Sequence, residues 1–382
     1  MIMKTWVNNK PIWWNEEAVG SPVAVLTVGT LCRNVAGFFF PLRMNEEEKQ
    51  RLENLLKEPI AQLDGVSADD YLNFAGASPR ENLFLSERFL VSYDLLSGIG
   101  HRGAFISNDQ RFSIMINAGE HIAFRVIFAG LQVESAWELL NKMDNHISKS
   151  VDYMTDPRLG FLTSDLNLIG TGLKFFTLLH LPGLAKTGNI VLWEKKLQSL
   201  GFYLSGINTG PPPDARPLAI QKHFIEQGFH SLSGSPVTVG LIETVGSLFA
   251  IGNKYTLGFS EAEIIFSLSH TVNEITKAEL DARQKLLSSS RLTLEDIVGR
   301  AEGVVHGAKF LEFAEAIELW SALQLGFSLN LTSESIFSLP LSLLFELQGG
   351  HILVNFSSDD SNTVKVSLMR ANKFREILDN KN

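Results

Sequence analysis

The chain has 382 residues, enough to bury a full core in one large domain with a smaller one beside it. A formal net charge of −9, with no basic run longer than two residues, argues against a nucleic-acid or anionic-membrane surface. Cys32 is the single cysteine, which excludes an intrachain disulfide and a cysteine-based metal site and fits a reducing, cytoplasmic setting.

In chain order, the start turns polar and aromatic after Trp6 too soon for a signal peptide. A β-branched run over 22–31 predicts a buried strand. Asn45 followed by Glu46, Glu47 and Glu48 predicts a helix start, with the Asn as cap and the acids on the first turn. Segments 84–93, 103–107, 111–117 and 122–128 read as strands, the later ones separated by short polar turns. Over 134–148, Ala136, Leu139, Leu140 and Met143 share one helix face. The irregular order of strands and long helices predicts an α+β fold rather than a doubly wound parallel sheet.

The pattern is interrupted from 206 to about 237, where Pro211, Pro212, Pro213 and Asp214 form a stiff loop and 221–227 is helix-like. A strand is expected over 245–251, then a capping box at Ser260 and Glu263 opening a helix to Leu287. Ser288, Ser289 and Ser290 read as a linker, followed by helices over 293–299, 310–325 and 363–378. The expected division is 20–284, with the insertion near 206–237, and a helical domain over 291–382. The most apolar windows, 175–181 and 336–347, are too short to span a bilayer. None of the nine histidines forms a spaced cluster with acids, so no metal site is expected.

The most informative stretch is Gly160-Phe161-Leu162-Thr163-Ser164-Asp165-Leu166-Asn167-Leu168-Ile169-Gly170-Thr171-Gly172-Leu173-Lys174, with His180-Leu181-Pro182 after it. It resembles the signature of the bacterial protein-arginine kinases, a branch of the ATP:guanidino phosphotransferases (phosphagen kinases), which reads G-Y-L-T-S-C-P-x-N-x-G-T-G-L-R and then H-L-P. Ordered patches extend the resemblance. Leu31-Cys32-Arg33-Asn34 with Phe40-Pro41 resembles L-A-R-N…F-P, and Asn117-Ala118-Gly119-Glu120-His121-Ile122 resembles N-E-E-D-H-I. Val151-Asp152-Tyr153 and Asn253-Lys254-Tyr255-Thr256-Leu257-Gly258 match family stretches in the same order. The resemblance implies a phosphagen-kinase-like α+β fold: a mostly antiparallel sheet flanked by helices, plus a smaller C-terminal helical domain.

Moving a γ-phosphoryl group to a guanidinium requires neutralising about four negative charges, and arginine forks are the usual instrument. It also requires a carboxylate to orient a guanidinium that stays protonated to pH ~12. The chain departs from the family at these positions. The two arginines of the family's S-S-R-x-R fall on Val28 and Thr30, the carboxylate expected as base falls on Gly119, and the arginine after the His falls on Ala123. The His of E-K-H-L is Phe89, the Cys is Asp165, and the Arg of R-G-x-Y-G-E falls on Ser205 or Ser235. In the last helix, R-D-x-x-R-A has become Val366-Ser367-Leu368-Met369-Arg370-Ala371. Losing four charge-assisted bonds at ~2 kcal/mol each removes about 8 kcal/mol, the whole free energy of a micromolar complex.

The residues left for a vestigial nucleotide site are Thr27, Arg125, Gly170, Thr171, Gly172 and Lys174. Lys174 with exposed N–H groups of the Gly-Thr-Gly turn is set against a Gly turn packed on a strand; Arg125 as a compensating cation is set against a solvated strand residue. Asp165 is weighed as a substrate carboxylate against a capping Asp, and Glu120 as a relocated base. His121 and His180 read as hydrogen-bonded core residues, and Trp6, Trp13 and Trp14 as a partner surface or as an N-terminal segment packed on the core. The leading expectation is a pseudokinase that acts through protein partners: a true arginine kinase, its activator, a repressor or quality-control machinery, with a homodimer left open. No cofactor is then expected, and Mg-ATP only if the nucleotide site still functions. The alternative is an active ATP-dependent protein-arginine kinase with a rearranged site using Lys174, Arg125 and Glu120.

Overall fold

A computed structural model describes residues 9–16, 18–206, 237–239, 242–332, 339–354 and 363–379. Trp6, Ser235 and almost all of the proline-bearing insertion lie outside the described residues. The strands are β1 (Ala24–Arg33), β2 (Tyr71–Asn73), β3 (Gly103–Ile106), β4 (Phe112–Ile116), β5 (Ile122–Ala129), β6 (Thr155–Asp156), β7 (Gly160–Phe161), β8 (Leu173–His180), β9 (Phe202–Gly206), β10 (Val237–Val239), β11 (Ile242–Thr244) and β12 (Leu248–Asn253). Eight of them form one sheet in the order β2-β3-β4-β5-β1-β8-β12-β9, and every pairing in it is antiparallel. This is the α+β architecture expected from the order of elements.

Helices cover both faces: α1 (Glu46–Ala61), α2 (Pro79–Glu87), α3 (Tyr93–Ser97), α4 (Val133–Ile147), α5 (Pro182–Lys186), α6 (Ile190–Ser199), α7 (Glu261–Gly307), α8 (Phe313–Ser328), α9 (Leu341–Glu346), α10 (Gly349–Leu353) and α11 (Thr363–Asp379). β1 is buried along all ten residues, which is why it reads as an unbroken apolar run rather than an alternating one. On one face Leu31, Phe124, Phe175 and Phe249 pack with Leu52, Leu140, Leu268 and Ile275. Gly29 is required there, because a Cβ would stand 2.5 Å from the Phe175 ring and 2.9 Å from Leu140. On the other face Leu26, Val28, Ile127 and Phe176 share a core with Val298, Val305, Trp320, Phe345 and Phe374. The helices after Ser290 are therefore built onto the sheet.

Two local expectations are corrected. Segment 84–93 is not a strand: Ser78 and Glu81 form a capping box, Pro79 opens α2, and the chain leaves the helix at Arg88. Propensity at the cap outweighs the apolar run that follows, a run whose periodicity alone cannot separate a helix from a buried strand. The serines at 288–290 are not an open linker. They lie inside α7, where only Ser290 leaves helical geometry (φ −143, ψ 35) and kinks it. The capping boxes at Asn45–Glu48 and Ser260–Glu263 form as expected.

Candidate functional site

Thr30 sits at the middle of the sheet, opposite Arg125 of β5 on one side and Lys174 of β8 on the other. The pleat puts all three side chains on the face covered by the C-terminal helices. Arg125 is 3 % exposed; its Nε donates to Thr30 Oγ1 at 3.2 Å and its Nη1 to the carbonyls of Phe89 at 3.5 Å and Val91 at 3.4 Å. Lys174 is 6 % exposed, and its Nζ donates to the carbonyls of Asn253 at 3.1 Å and Lys254 at 2.6 Å. The structure brings the two expected cations to one row, and backbone dipoles take up their donors. Arg125 is a buried residue, not a solvated one.

The neighbouring row is apolar: Val28 opposite Ile127 and Phe176. Phe89, the residue in place of the family's His, fills the space above it, with its ring 5.7 Å from that of Phe176 and 6.2 Å from that of Phe345. Phe89 holds a φ of 59°, rare for a bulky residue. Sequence reasoning missed this conformation, which carries no residue-type signal outside Gly, Asn and Asp.

The Gly-Thr-Gly turn is hydrogen-bonded to the chain on both sides. The N–H groups of Gly170 and Thr171 donate to the carbonyls of Phe161 and Thr256, at 3.2 and 3.3 Å. The Thr171 carbonyl accepts from Arg33 Nη1 at 2.8 Å, and the Gly172 carbonyl from the Cys32 N–H at 3.0 Å. Gly172 has a φ of 66°, and a Cβ on it would stand 2.5 Å from the Cys32 carbonyl oxygen. Thr27 does not join the row. It lies on the opposite face, its hydroxyl donating to the Gly130 carbonyl at 2.7 Å.

Around the β4–β5 turn the polar groups are also committed to structure. Glu120 accepts from Asn34 Nδ2 at 2.5 Å and from the N–H groups of Ser164 at 2.8 Å and Asp165 at 3.0 Å. Burial raises its carboxyl above the ordinary range despite those donors. Asp165 caps the short turn after it, accepting from the Asn167 N–H at 2.9 Å. His121 Nδ1 accepts from the Val35 N–H at 2.9 Å while Nε2 donates to the Phe39 carbonyl at 2.8 Å, and burial pushes its pKa down to about 4. His180 Nε2 meets the Ser321 hydroxyl at 2.8 Å, and burial holds it neutral. Arg370 ties α11 to the carbonyls of Leu347 and Leu311, at 2.7 and 2.8 Å.

One carboxylate escaped the sequence reading. A Cβ on Gly119 would stand 3.2 Å from Asp94 Oδ2, so α3 brings an acid to the position where the turn has lost one. A cleft of about 750 Å³ lies elsewhere, lined by Trp14, Val23, His180, Arg283, Trp320 and Phe327 among others, and not by Arg125 or Lys174. Among the described residues, no group of three or more His, Cys, Asp or Glu could hold a metal ion, and no helix is long and apolar enough to cross a membrane.

The antiparallel sheet between helical layers is the phosphagen-kinase fold. It is shared with the duplicated taurocyamine kinase from Schistosoma mansoni bound to transition-state-analogue components, at 18% identity and a TM-score of 0.54. That alignment covers 76% of this chain and 39% of that one. A lombricine kinase structure aligns at 20% identity and a TM-score of 0.50, over 72% of each chain. Residues 51–211 match the ATP:guanido phosphotransferase C-terminal catalytic domain, and residues 291–382 match the protein-arginine kinase McsB C-terminal domain. The protein-arginine kinase of Pelotomaculum thermopropionicum is 28% identical over 351 residues, 91% of this chain and 89% of that protein. The protein-arginine kinase of Bacillus cereus strain AH187 is 29% identical over 320 residues, 83% of this chain and 82% of that protein. Both matched domains and both relatives are of the ATP:guanido phosphotransferase family, on its protein-arginine kinase branch, and this chain is similar to them along most of its length.

Proposed function

We propose that this chain is a protein-arginine-kinase homologue that has given up phosphoryl transfer and acts by contact with other proteins. The observation that carries this reading is the row at Thr30. Arg125 and Lys174, the cations left for a triphosphate, donate to backbone carbonyls, and Val28, Phe89 and Phe176 fill the space beside them. Mg-ATP, the donor that the family's name implies, fits these residues poorly. Its phosphates need several free donors, and this row is buried. The partners that the family suggests, a true arginine kinase or its regulators, are the first to test for binding.

A second reading, an active protein-arginine kinase, has the relatives' names in its favour and one feature of this chain. Asp94 brings a carboxylate to within 3.2 Å of where a side chain on Gly119 would begin, a place from which an acid could orient a guanidinium. Calorimetry with Mg-ATP separates the two, with Lys174→Ala as control. No binding at millimolar nucleotide is expected. Low-micromolar binding lost in the variant would refute the proposal and call for an arginine phosphorylation assay with Asp94→Asn.

A further inference from the structure

We infer that residues 9–16 form a strap that holds the C-terminal helices closed over the sheet face carrying Thr30, Arg125 and Lys174. The segment is not a free-standing element. Its one turn of 3₁₀ helix, Ile12–Trp14, follows Pro11 with no side-chain cap, so its shape depends on what it touches on either side.

On the sheet side the contacts are mostly polar. The Ile12 N–H donates to the Asp109 carbonyl at 3.0 Å, and Trp13 Nε1 to the Gln110 carbonyl at 3.1 Å. The Asn9 carbonyl accepts from Arg88 Nη1 at 3.1 Å and from Gln110 Nε2 at 2.8 Å, and Glu16 pairs with Arg111. On the helix side the contacts are aromatic. Trp13 meets Phe345 of α9 edge-on at 5.0 Å, and Trp14 stacks on it at 5.5 Å and touches His351 of α10 at 5.6 Å. Lys10 pairs with Glu346 at 2.9 Å.

Phe345 is the link to the site. It is clasped by both indoles and presses on Phe89, whose carbonyl receives Arg125. Trp13 and Trp14 are 0 % and 4 % exposed, so the strap acts as an aromatic wedge between the β3–β4 turn and α9. Its release would uncover Phe345 and Phe89 together, and Phe89 is the residue whose carbonyl receives the Arg125 guanidinium. A second tie, Glu87 accepting from the Gly350 and His351 N–H groups at 2.7 and 3.0 Å, holds α10 to α2 independently of the strap. The strap is thus a contact that keeps this face of the sheet covered. This inference concerns access to the site and stands apart from whether the site still binds nucleotide.

The test is hydrogen–deuterium exchange on the full chain with two variants. Trp13→Ala/Trp14→Ala removes the wedge. Lys10→Ala/Arg111→Gln loosens both ends and leaves the indoles, so it reports even if the first variant fails to fold. The expected result is exchange faster by about tenfold or more over 341–353 and 84–91, with 133–147 and 173–180 unchanged. Unaltered protection of 341–353 in a folded variant would make the segment a passenger. A uniform rise across all peptides in the mild variant would make it an ordinary part of one cooperative core. Either result overturns the strap. Calorimetry with Mg-ATP on the same variants reads the proposed function separately: binding that appears only on release would refute loss of the nucleotide site and leave the strap standing.

Discussion

The rings of Phe89 and Phe176 meet at 5.7 Å on the face that also holds Arg125 and Lys174. Phe89 reaches that position with a φ of 59°, a left-handed conformation that costs an L-residue roughly 1–2 kcal/mol. Its ring therefore offsets backbone strain by burial. Truncating a buried Phe to Ala ordinarily costs about 3–5 kcal/mol, and Gly ordinarily costs more than Ala. At position 89 the order should invert. Phe89→Gly relieves the strain that Phe89→Ala keeps, so it should be the more stable of the two by about 1 kcal/mol. Urea unfolding of both variants checks this, and Phe89→Ala proving the more stable would show that φ is relaxed in solution.

Lys174 looks like a ligand residue in the sequence, and the fold buries it. Its Nζ satisfies the carbonyls of Asn253 and Lys254 where β8 and β12 separate. Lys174→Met keeps the stem and removes the donor, leaving buried acceptors short of a partner at a cost of about 1–3 kcal/mol. We expect a fall in unfolding free energy of about 2 kcal/mol with no change in Mg-ATP binding. A variant as stable as the parent would mean that the ammonium has another role.

Acid should weaken the fold through His121. Burial lowers its pKa to about 4 from 6.5, outweighing the Phe39 carbonyl that favours the charged ring, and protonation at Nδ1 would also break the bond it accepts from Val35. A depressed folded-state pKa means the unfolded chain takes up the proton first. The stability is complete above pH 6.5 and is lost as pH falls towards about 4, up to about 3 kcal/mol for this group. Buried carboxyls such as Glu120 shift in the opposite direction, so the clean measurement is a difference. The gap in unfolding free energy between the parent and His121→Gln should narrow steadily across that window. A constant gap would place the His121 titration in its ordinary range.

Much of the fold was legible because its signals are local. Asn45 with Glu48 and Ser260 with Glu263 announce helix starts within four residues, and β1 announces burial on both faces by lacking alternation. The site was legible only as a set of residue types. That Arg125 would spend its guanidinium on the carbonyls of Phe89 and Val91, 36 and 34 positions away in sequence, has no side-chain signature, since every residue owns a carbonyl. Segment 84–93 was misread for a related reason. Its apolar run is a helix end followed by a buried connection, and only tertiary packing of Phe84, Leu85, Phe89 and Leu90 makes it apolar throughout. Asp94 was invisible because its meaning depends on standing beside Gly119, an approach that only the folded turn creates.

That approach gives a final prediction. Restoring the missing side chain with Gly119→Glu would put its Cβ 3.2 Å from Asp94 Oδ2 and its carboxylate in the same small space. Like charges so placed repel, and one must take a proton or move. Gly119→Glu should therefore destabilise the fold, and Asp94→Ala in the same chain should recover part of the loss. For two residues in contact, a coupling of about 0.5–3 kcal/mol is the ordinary range of a double-mutant cycle. We expect a value towards the upper end of that range, falling as added salt screens the repulsion. A coupling near zero at low and at high salt would show that the two carboxylates avoid each other through solvent. Asp94 would then be a surface acid of α3 with no bearing on the position it faces.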